Sequence, residues 1–369
     1  MPTPTRTLVP SCAVLLLSAC TLADFRLPAA ETSWSFPLVE EGRAVCEGEI
    51  VGSLQKAGSG LVIVATRAGR VYALETARGA VRWEYSAKAP VDWPAAAGEG
   101  RVLVVDRNGI LSGLDLEGKL VWEAKLKGTV GPGPVAVSGR AFLALDGTRL
   151  AAFDLGPGTE AWSLPVSAAI RSQIAAWKGG VVFGTADKKI HVVNADGRVV
   201  KARDASAVLV GPACAAGDIL IASLEDNSVA AWDLPSLDRR WSIRLGGTLA
   251  AAPAFDGRRL FAVLTNHVLF CLSSGSGTTL WWNALPGRGL YPPAVAGTHV
   301  FATAPSASVT AFPLLGGNRV EAYAAPQDAH AGPLWVDPTL WVATFDPGSG
   351  RTTILLLKSP PPPAKEKTA

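Results

Sequence analysis

The chain has 369 residues, of which 49% are hydrophobic and only 18% charged, and it contains 38 glycines and 27 prolines. This composition excludes a disordered polyelectrolyte and disfavours long helices, so an all-β domain with many turns fits best. The formal net charge of +3 balances 34 basic against 31 acidic residues without a basic cluster, which argues against nucleic acid as a partner. Past residue 20, no apolar run approaches the roughly 20 residues of a membrane-spanning helix.

The first twenty residues have the organisation of an export signal. Arg6 precedes a short apolar core over residues 13–17, and small residues follow before Cys20. The tetrapeptide LSAC at 17–20 resembles a bacterial lipobox, which implies cleavage between Ala19 and Cys20 and acylation of the Cys20 thiol. The alternative is an ordinary secretory signal that happens to contain a cysteine.

We therefore predict a signal peptide over residues 1–19 and a lipidated tether over residues 20–31. Acyl chains contribute about 0.8 kcal/mol per buried methylene, so several of them hold a protein firmly on a membrane. Thr21, with no aspartate at that position, resembles the sorting signal of outer-membrane lipoproteins. Three further cysteines, Cys46, Cys214 and Cys271, fall in separate repeats of the pattern described next, so we expect buried, unpaired thiols.

A period of about forty residues runs through the rest of the chain. Tryptophans are spaced by 39, 40, 79 and 40 residues, and Lys201 lies at the midpoint of the double interval. A second ladder, of prolines, follows the same period. The tryptophans are Trp83, Trp122, Trp162, Trp241 and Trp281, and the prolines are Pro94, Pro134, Pro212, Pro253, Pro293 and Pro333. One further period after the last tryptophan reaches Glu321.

Within each period, four short runs rich in Val, Leu and Ala are separated by Gly, Asn and Asp turns, which predicts four antiparallel strands. A repeated four-stranded unit of this length is a propeller blade, which buries its faces only against neighbouring blades. Each tryptophan begins an outermost strand, so we expect it to fill the space between two blades.

The two ends of the chain are predicted to complete the ring together. Trp34 has the pattern of an outer strand, and the last repeat lacks its fourth strand. We therefore predict that residues 32–38 pair with residues 352–358. The fold class is then all-β: an eight-bladed β-propeller of four-stranded antiparallel blades over residues 32–358, closed by the N-terminal strand in the last blade. Residues 359–369 are predicted to be a proline-rich disordered tail.

The repeats resemble those of quinoprotein-type propellers, whose pattern is Ala-x-Asp-x-x-Thr-Gly-x-x-x-Trp. In VYALETARGAVRW, at 71–83, Ala73, Glu75, Gly79 and Trp83 occupy the family positions, with Arg78 at the usual Thr. CLSSGSGTTLW, at 271–281, matches at its Ser, Gly and Trp. The resemblance extends over residues 32–358.

Two branches of that family imply different functions. Quinone-dependent dehydrogenases hold pyrroloquinoline quinone and Ca²⁺ at the propeller axis, often beside a disulfide between adjacent cysteines. The BamB branch consists of non-enzymatic outer-membrane lipoproteins that bind periplasmic domains of the β-barrel insertase. A lipobox in front of a single eight-bladed propeller resembles the second branch, and the chain has no adjacent cysteine pair.

A search for chemistry predicts no enzyme, no metal site and no cofactor. The histidines His191, His267, His299 and His330 fall in four repeats without metal-ligand spacing, and no phosphate-binding loop or nucleophile elbow occurs. Candidate partner-binding residues are tryptophans and arginines outside the ladder, because these types are enriched in binding hot spots. They are Trp93, Arg171, Trp177, Arg239 and Arg240. The alternative is blade packing and solvated charge.

The leading functional hypothesis is a lipid-anchored scaffold on the periplasmic face of the outer membrane. It would act as a monomer within a hetero-complex, and its partners would be proteins of the β-barrel assembly machinery. One alternative is a divergent quinoprotein dehydrogenase that binds pyrroloquinoline quinone and Ca²⁺. A second alternative is a surface-exposed propeller that binds a polysaccharide or protein ligand.

Overall fold

The computed structural model describes residues 34–360 except residues 59 and 132. The predicted cleavage and acylation site at Ala19 and Cys20, the tether over 20–31 and nearly all of the predicted tail lie outside the described residues. The described residues form eight four-stranded antiparallel sheets, which confirms the prediction of an all-β, eight-bladed propeller. None of the described segments is a helix of the length and hydrophobicity needed to cross a bilayer.

Blades 1 to 7 follow one another along the chain, each with strands ordered from the central axis outwards. Blades 1 to 4 contain β2 (Gln55–Ala57), β3 (Leu61–Ala65), β4 (Arg70–Glu75), β5 (Val81–Ser86), β6 (Ala96–Gly98), β7 (Arg101–Val105), β8 (Ile110–Leu114), β9 (Leu120–Lys125), β10 (Val135–Val137), β11 (Arg140–Leu145), β12 (Arg149–Asp154), β13 (Glu160–Pro165), β14 (Ala175–Trp177), β15 (Gly180–Gly184), β16 (Lys189–Asn194) and β17 (Val199–Asp204). Blades 5 to 7 contain β18 (Leu209–Ala216), β19 (Ile219–Leu224), β20 (Ser228–Asp233), β21 (Arg239–Arg244), β22 (Ala254–Phe255), β23 (Arg259–Val263), β24 (Val268–Ser273), β25 (Thr279–Ala284), β26 (Ala294–Ala296), β27 (His299–Thr303), β28 (Ser308–Pro313) and β29 (Val320–Ala324).

Blade 8 joins the two ends of the chain. Its strands are β30 (Leu334–Val336), β31 (Thr339–Asp346), β32 (Arg351–Lys358) and, outermost, β1 (Val39–Glu47). The prediction that the N-terminal strand closes the last blade is therefore confirmed, but the predicted bounds are wrong. The strand that pairs with β32 is residues 39–47, not 32–38, and Trp34 precedes it. Gly42, opposite Leu356 and next to a bulge, occupies the place in register that Trp83 occupies opposite Ala73 in blade 1.

The hydrophobic core lies between blades rather than inside a single layer. Each apolar cluster draws on two adjacent blades, as where Leu103 and Trp122 of blade 2 pack with Leu143 and Phe153 of blade 3. The second strand of a blade is buried on both faces, and in β3 every residue is buried. The repeat therefore acquires its core only by stacking.

Five ladder tryptophans contact the following blade in the same way. Each indole N–H donates to a backbone carbonyl 33 residues later, at 2.8–3.1 Å. The acceptors for Trp83, Trp122, Trp162, Trp241 and Trp281 are Leu116, Leu155, Ala195, Ser274 and Leu314. The turn carrying the acceptor also needs a glycine: Gly118 has φ +81°, and a Cβ atom there would lie 2.5 Å from the Trp83 ring.

Successive antiparallel strands alternate in direction, so the loops of every blade divide between two faces of the ring. One face, here called the linker face, carries the linkers between blades and the turns between second and third strands. The opposite face, here called the hairpin face, carries the other two turns of each blade. Residues 34–38 lie at the hairpin-face end of β1, where the Trp34 indole N–H donates to the Ala296 carbonyl at 2.9 Å.

Candidate functional site

A cavity of about 870 Å³ opens around the central axis on the linker face. Its apolar lining includes the aromatic side chains of Phe255, Tyr291 and Trp335. Polar and charged groups also line it: Glu49, Gln55, Lys56, Arg67, Gln173 and His330. Burial lowers the pKa of Lys56 and raises the pKa of Tyr291 to about 12, so at neutral pH the tyrosine keeps its hydroxyl proton. The cavity thus offers apolar surface and hydrogen-bond donors together.

A chain of ion pairs crosses the linker face next to this cavity. His330 Nδ1 lies 3.8 Å from a Glu49 carboxylate oxygen, and Arg67 donates to the same carboxylate at 3.0 Å. Arg67 also lies 3.7 Å from Asp92, which accepts from Arg107 at 2.6 Å. The hydrogen bond from Arg107 lowers the pKa of Asp92. Such exposed pairs add little stability, and the Arg67 and Arg107 side chains remain more than half exposed to a partner.

The backbone explains why these side chains meet. The Arg67 N–H donates to the Glu49 carbonyl, and the Arg107 N–H donates to the Pro90 carbonyl, both at 2.8 Å. Each contact joins a linker to the turn that follows it in the next blade. Arg67 and Arg107 are 40 residues apart, so the repeat places them at equivalent points of blades 1 and 2. That spacing was a signal from which the pair could have been identified in the sequence.

The structure divides the predicted partner-binding residues between different parts of the ring. Trp93 and Arg171 lie in linkers, and Trp93 lines a second cavity, of about 360 Å³, beside Arg107. Trp177 ends β14 on the hairpin face, where its indole N–H donates to Asp218 at 3.4 Å. Arg239 and Arg240 begin the outer strand β21, and Arg240 pairs with Asp233. The five residues do not form one surface.

One exposed aromatic residue was missed by the sequence analysis. Trp282 on the outer strand β25 has 61% of its surface exposed, and Leu280 on the same strand has 52%. The adjacent Trp281 is turned inward against blade 7, because side chains alternate across a strand. The pair of tryptophans in the sequence TTLWWNA, read with that alternation, was the available signal.

The described residues do not offer a quinone and Ca²⁺ site at the axis. Among them, no three His, Cys, Asp or Glu side chains converge as metal ligands. Glu49 is the one described carboxylate that lines the cavity, and Arg67 already binds it. A Ca²⁺ site needs six to eight oxygen ligands, usually with several carboxylates, so the lining does not fit.

The described thiols and His191 have structural roles in the propeller. Cys46, Cys214 and Cys271 form no disulfide, and burial raises the pKa of Cys46 and of Cys271 to about 12. These thiols therefore stay protonated and unreactive at neutral pH. His191 stacks on Phe183 with ring centroids 5.2 Å apart, and burial lowers its pKa.

The chain matches the family described as "Outer membrane protein assembly factor BamB" over residues 27–242 and 225–342. It is 25% identical to outer membrane protein assembly factor BamB of Bordetella pertussis over 258 residues, which span 65% of this chain and 66% of that protein.

Two solved structures share the fold. The crystal structure of BamB from Moraxella catarrhalis superposes with a TM-score of 0.71 at 17% identity, over 86% of this chain and 99% of that one. Quinohemoprotein alcohol dehydrogenase from Comamonas testosteroni superposes with a TM-score of 0.65 at 12% identity, over 88% and 78% of the two chains. Since the family match extends over most of the sequence, the chain belongs to the BamB family of outer membrane protein assembly factors.

Proposed function

We propose that this protein is a non-enzymatic scaffold, anchored through Cys20 to the periplasmic face of the outer membrane, that binds protein partners of the β-barrel assembly machinery. The observation that carries the proposal is the linker face. There a rigid ring of blades holds a mixed aromatic and polar cavity beside a pair of exposed arginines, in a chain of the BamB family. Loops held on a rigid scaffold are the usual place for recognition.

The linker face has the composition of a protein-binding surface. Half-buried aromatic side chains such as Tyr291 and Trp335 present apolar area, Arg67 presents planar donors in the same cavity, and Arg107 presents them in the second cavity. Aromatic residues and arginine are enriched at interfaces, and arginine pairs well with carboxylates of a partner. More than half of each of the two arginine side chains is exposed, so carboxylates of a partner can reach both guanidinium groups.

Anchoring through Cys20 is compatible with this use of the linker face. Trp34 is fixed at the hairpin face, fourteen residues after Cys20. An extended chain of that length reaches up to about 50 Å. The described chain therefore enters the ring at Trp34 on the face opposite the cavity. A Cys20→Ala variant should no longer incorporate labelled palmitate, and continued incorporation would contradict the proposed anchor.

Affinity capture from detergent-solubilised membranes tests the partner assignment. The wild-type protein should retain the barrel insertase, identified by mass spectrometry, and an Arg67→Glu/Arg107→Glu variant should lose most of it. Arg82→Glu is the control, because Arg82 is an exposed arginine of the outer strand β5, away from the linker face. Thermal unfolding establishes that all variants are folded. Consistent absence of the insertase from wild-type captures would overturn the assembly role and leave the fold unaffected.

A further inference from the structure

The outer strand of blade 4 is unusually exposed. All six residues of β17 are exposed, a pattern found in none of the other described outer strands. Lys201 stands at its ladder position, so no indole ties the strand to blade 5. Val199 and Val200 each leave 47% of their surface exposed. The strand therefore presents apolar surface and an open edge together.

The hydrogen-bonding groups of that edge can be assigned from the register. The Ala205 N–H donates to the Lys188 carbonyl at 2.7 Å, and His191 lies opposite Ala202 in the ladder. Peptide groups alternate in direction along an antiparallel strand, so those of Ala202 and Asp204 point away from blade 4. An edge of this kind is a template for another strand.

The chain itself uses the corresponding edge on blade 7. There the Ala322 carbonyl, three residues before Ala325 just as Ala202 is three before Ala205, accepts from the Leu38 N–H at 2.7 Å. Blade 3 is protected instead: its edge carries Pro165, which lacks an N–H to donate. Among residues 34–360, as far as they are described, no segment covers this edge of blade 4, and β17 has no proline at its outward positions.

The charges on the strand select the partner. Lys201 and Arg203 lie two residues apart on the strand and Arg198 directly precedes it; Asp204 is its last residue, and Asp196 lies in the turn before it. Arg203 pairs with Asp238 of blade 5. A second copy of this chain would bring lysine and arginine against lysine and arginine, which disfavours self-pairing. A strand with carboxylates at alternate positions would meet them favourably.

We propose that β17 receives an extended acidic segment of a protein partner as a fifth strand of blade 4. The proposal deepens the scaffold function proposed above, since it assigns one mode by which a partner is held. Main-chain hydrogen bonds to Ala202 and Asp204 supply affinity, and Lys201, with Arg198 directly before the strand, supplies the preference for acidic side chains. The site is on the periphery of the ring, separate from the linker-face cavity.

Fluorescence anisotropy of a labelled twelve-residue peptide of alternating Val and Glu, titrated with the purified propeller, tests this edge. The peptide should bind, and a matched Val and Lys peptide should not. Ala202→Pro removes an outward N–H without touching the ladder to β16, so it should weaken binding at least about tenfold. Ser242→Pro, the corresponding change on blade 5, is the control and should leave binding unchanged.

Hydrogen exchange distinguishes strand addition from simple charge attraction. Bound peptide should slow exchange of the Ala202 and Asp204 amides and leave those of blade 5 unchanged. Absence of binding at millimolar peptide, binding without this protection, or equal losses in the two proline variants would each overturn the proposal. Because the assay uses a peptide and the isolated protein, its failure leaves the capture of assembly partners as a separate result.

Discussion

Within the described ring, five blade interfaces are closed by a ladder tryptophan, whereas those between blades 4 and 5, 7 and 8, and 8 and 1 are not. Between blades 4 and 5, Leu237 replaces the turn glycine and has φ +60°. Its side chain is fully buried between these two blades, whose ladder position holds Lys201 instead of tryptophan. Between blades 7 and 8, Trp34 and Leu38 pack from the N-terminal segment. Between blades 8 and 1, Leu356 packs beside Gly79.

These three interfaces show that the space between two blades is always filled, but that the residue filling it need not be a tryptophan. A tryptophan from the preceding blade requires glycine in the facing turn, and loss of the tryptophan permits a larger side chain there. Between blades 4 and 5 both positions differ from the tryptophan-closed interfaces, because Lys201 replaces the tryptophan and Leu237 the glycine, whereas the turn that faces Gly42 keeps Gly79. Leu237 adopts a backbone conformation that costs a leucine of order 1 kcal/mol, which indicates that the packing it provides is worth more than that strain.

The largest expected effect is at a ladder tryptophan. Trp122→Ala should lower the free energy of unfolding by about 3–5 kcal/mol, because it removes a buried indole packed against the Gly158 turn of blade 3. Urea unfolding followed by circular dichroism measures the change. Trp282→Ala, at an exposed tryptophan, should shift it by less than about 1 kcal/mol. Equal losses of unfolding free energy in Trp122→Ala and Trp282→Ala would contradict the distinction between ladder tryptophans and surface tryptophans.

Leu237→Ala tests the interface without a tryptophan. Truncation of this fully buried side chain should cost about 2–4 kcal/mol in the same urea assay. Backbone amides of the neighbouring strand β20 should exchange faster, since the loss is confined to one interface. Leu315→Ala, which truncates an exposed leucine in another turn, is the control. A cost below 1 kcal/mol would mean that Leu237 does not replace the missing indole.

A double variant tests whether positions 201 and 237 are energetically coupled. Lys201→Trp alone should crowd Leu237 and destabilise by about 1–3 kcal/mol, and Leu237→Gly alone should leave a cavity. Combined, they recreate the arrangement of the other interfaces. The double variant should therefore be more stable than the sum of the single changes by about 1–3 kcal/mol. If a double-mutant cycle shows that the effects of the two single changes are strictly additive, the coupling between positions 201 and 237 is contradicted.

The smallest effect on stability is expected for Asp187, in the turn between the second and third strands of blade 4 on the linker face. Hydrogen bonds from Thr185 and then Ser167 lower the pKa of Asp187, so its carboxylate stabilises the fold above the unfolded pKa, near 3.8. Asp187→Asn should cost less than about 1 kcal/mol at pH 7. The difference from wild type should vanish as pH falls through the lowered pKa. A difference that persists unchanged at pH 2 to 3 would refute this account.

Much of the fold could be predicted from the sequence because the Trp and Pro ladders repeat at the length of one blade. The closing strand was misplaced for a physical reason. Trp34 has the sequence appearance of a ladder residue, but the ladder position of blade 8 is Gly42, and the volume comes from Leu356 across the pair. A search of the sequence for tryptophan cannot identify this ladder position, because the bulky side chain, Leu356, lies on β32 rather than on β1.

The candidate site was less predictable because it depends on contacts between repeats. Glu49, Arg67, Asp92 and Arg107 lie in two linkers and two turns, and only ring assembly brings them together. Trp93 and Arg171 were named as binding residues by type alone, and types carry no information about which face a residue occupies. The exposed edge of β17 follows from one missing tryptophan, whose consequence for the strand required the packing to be known.

Blade 8 also determines the order in which the molecule can be completed. Thr352 donates to the Gly48 carbonyl across 304 residues of chain, and direct closure of a loop that long costs roughly 5 kcal/mol of entropy. Stacking of blades 1 to 7 divides that cost into short steps, because each blade carries the growing end further round the circle. Strand β1 is synthesised before all the other described strands but has no pairing partner until β32, the last of them, is complete. A chain interrupted before residue 351 therefore leaves β1 unpaired.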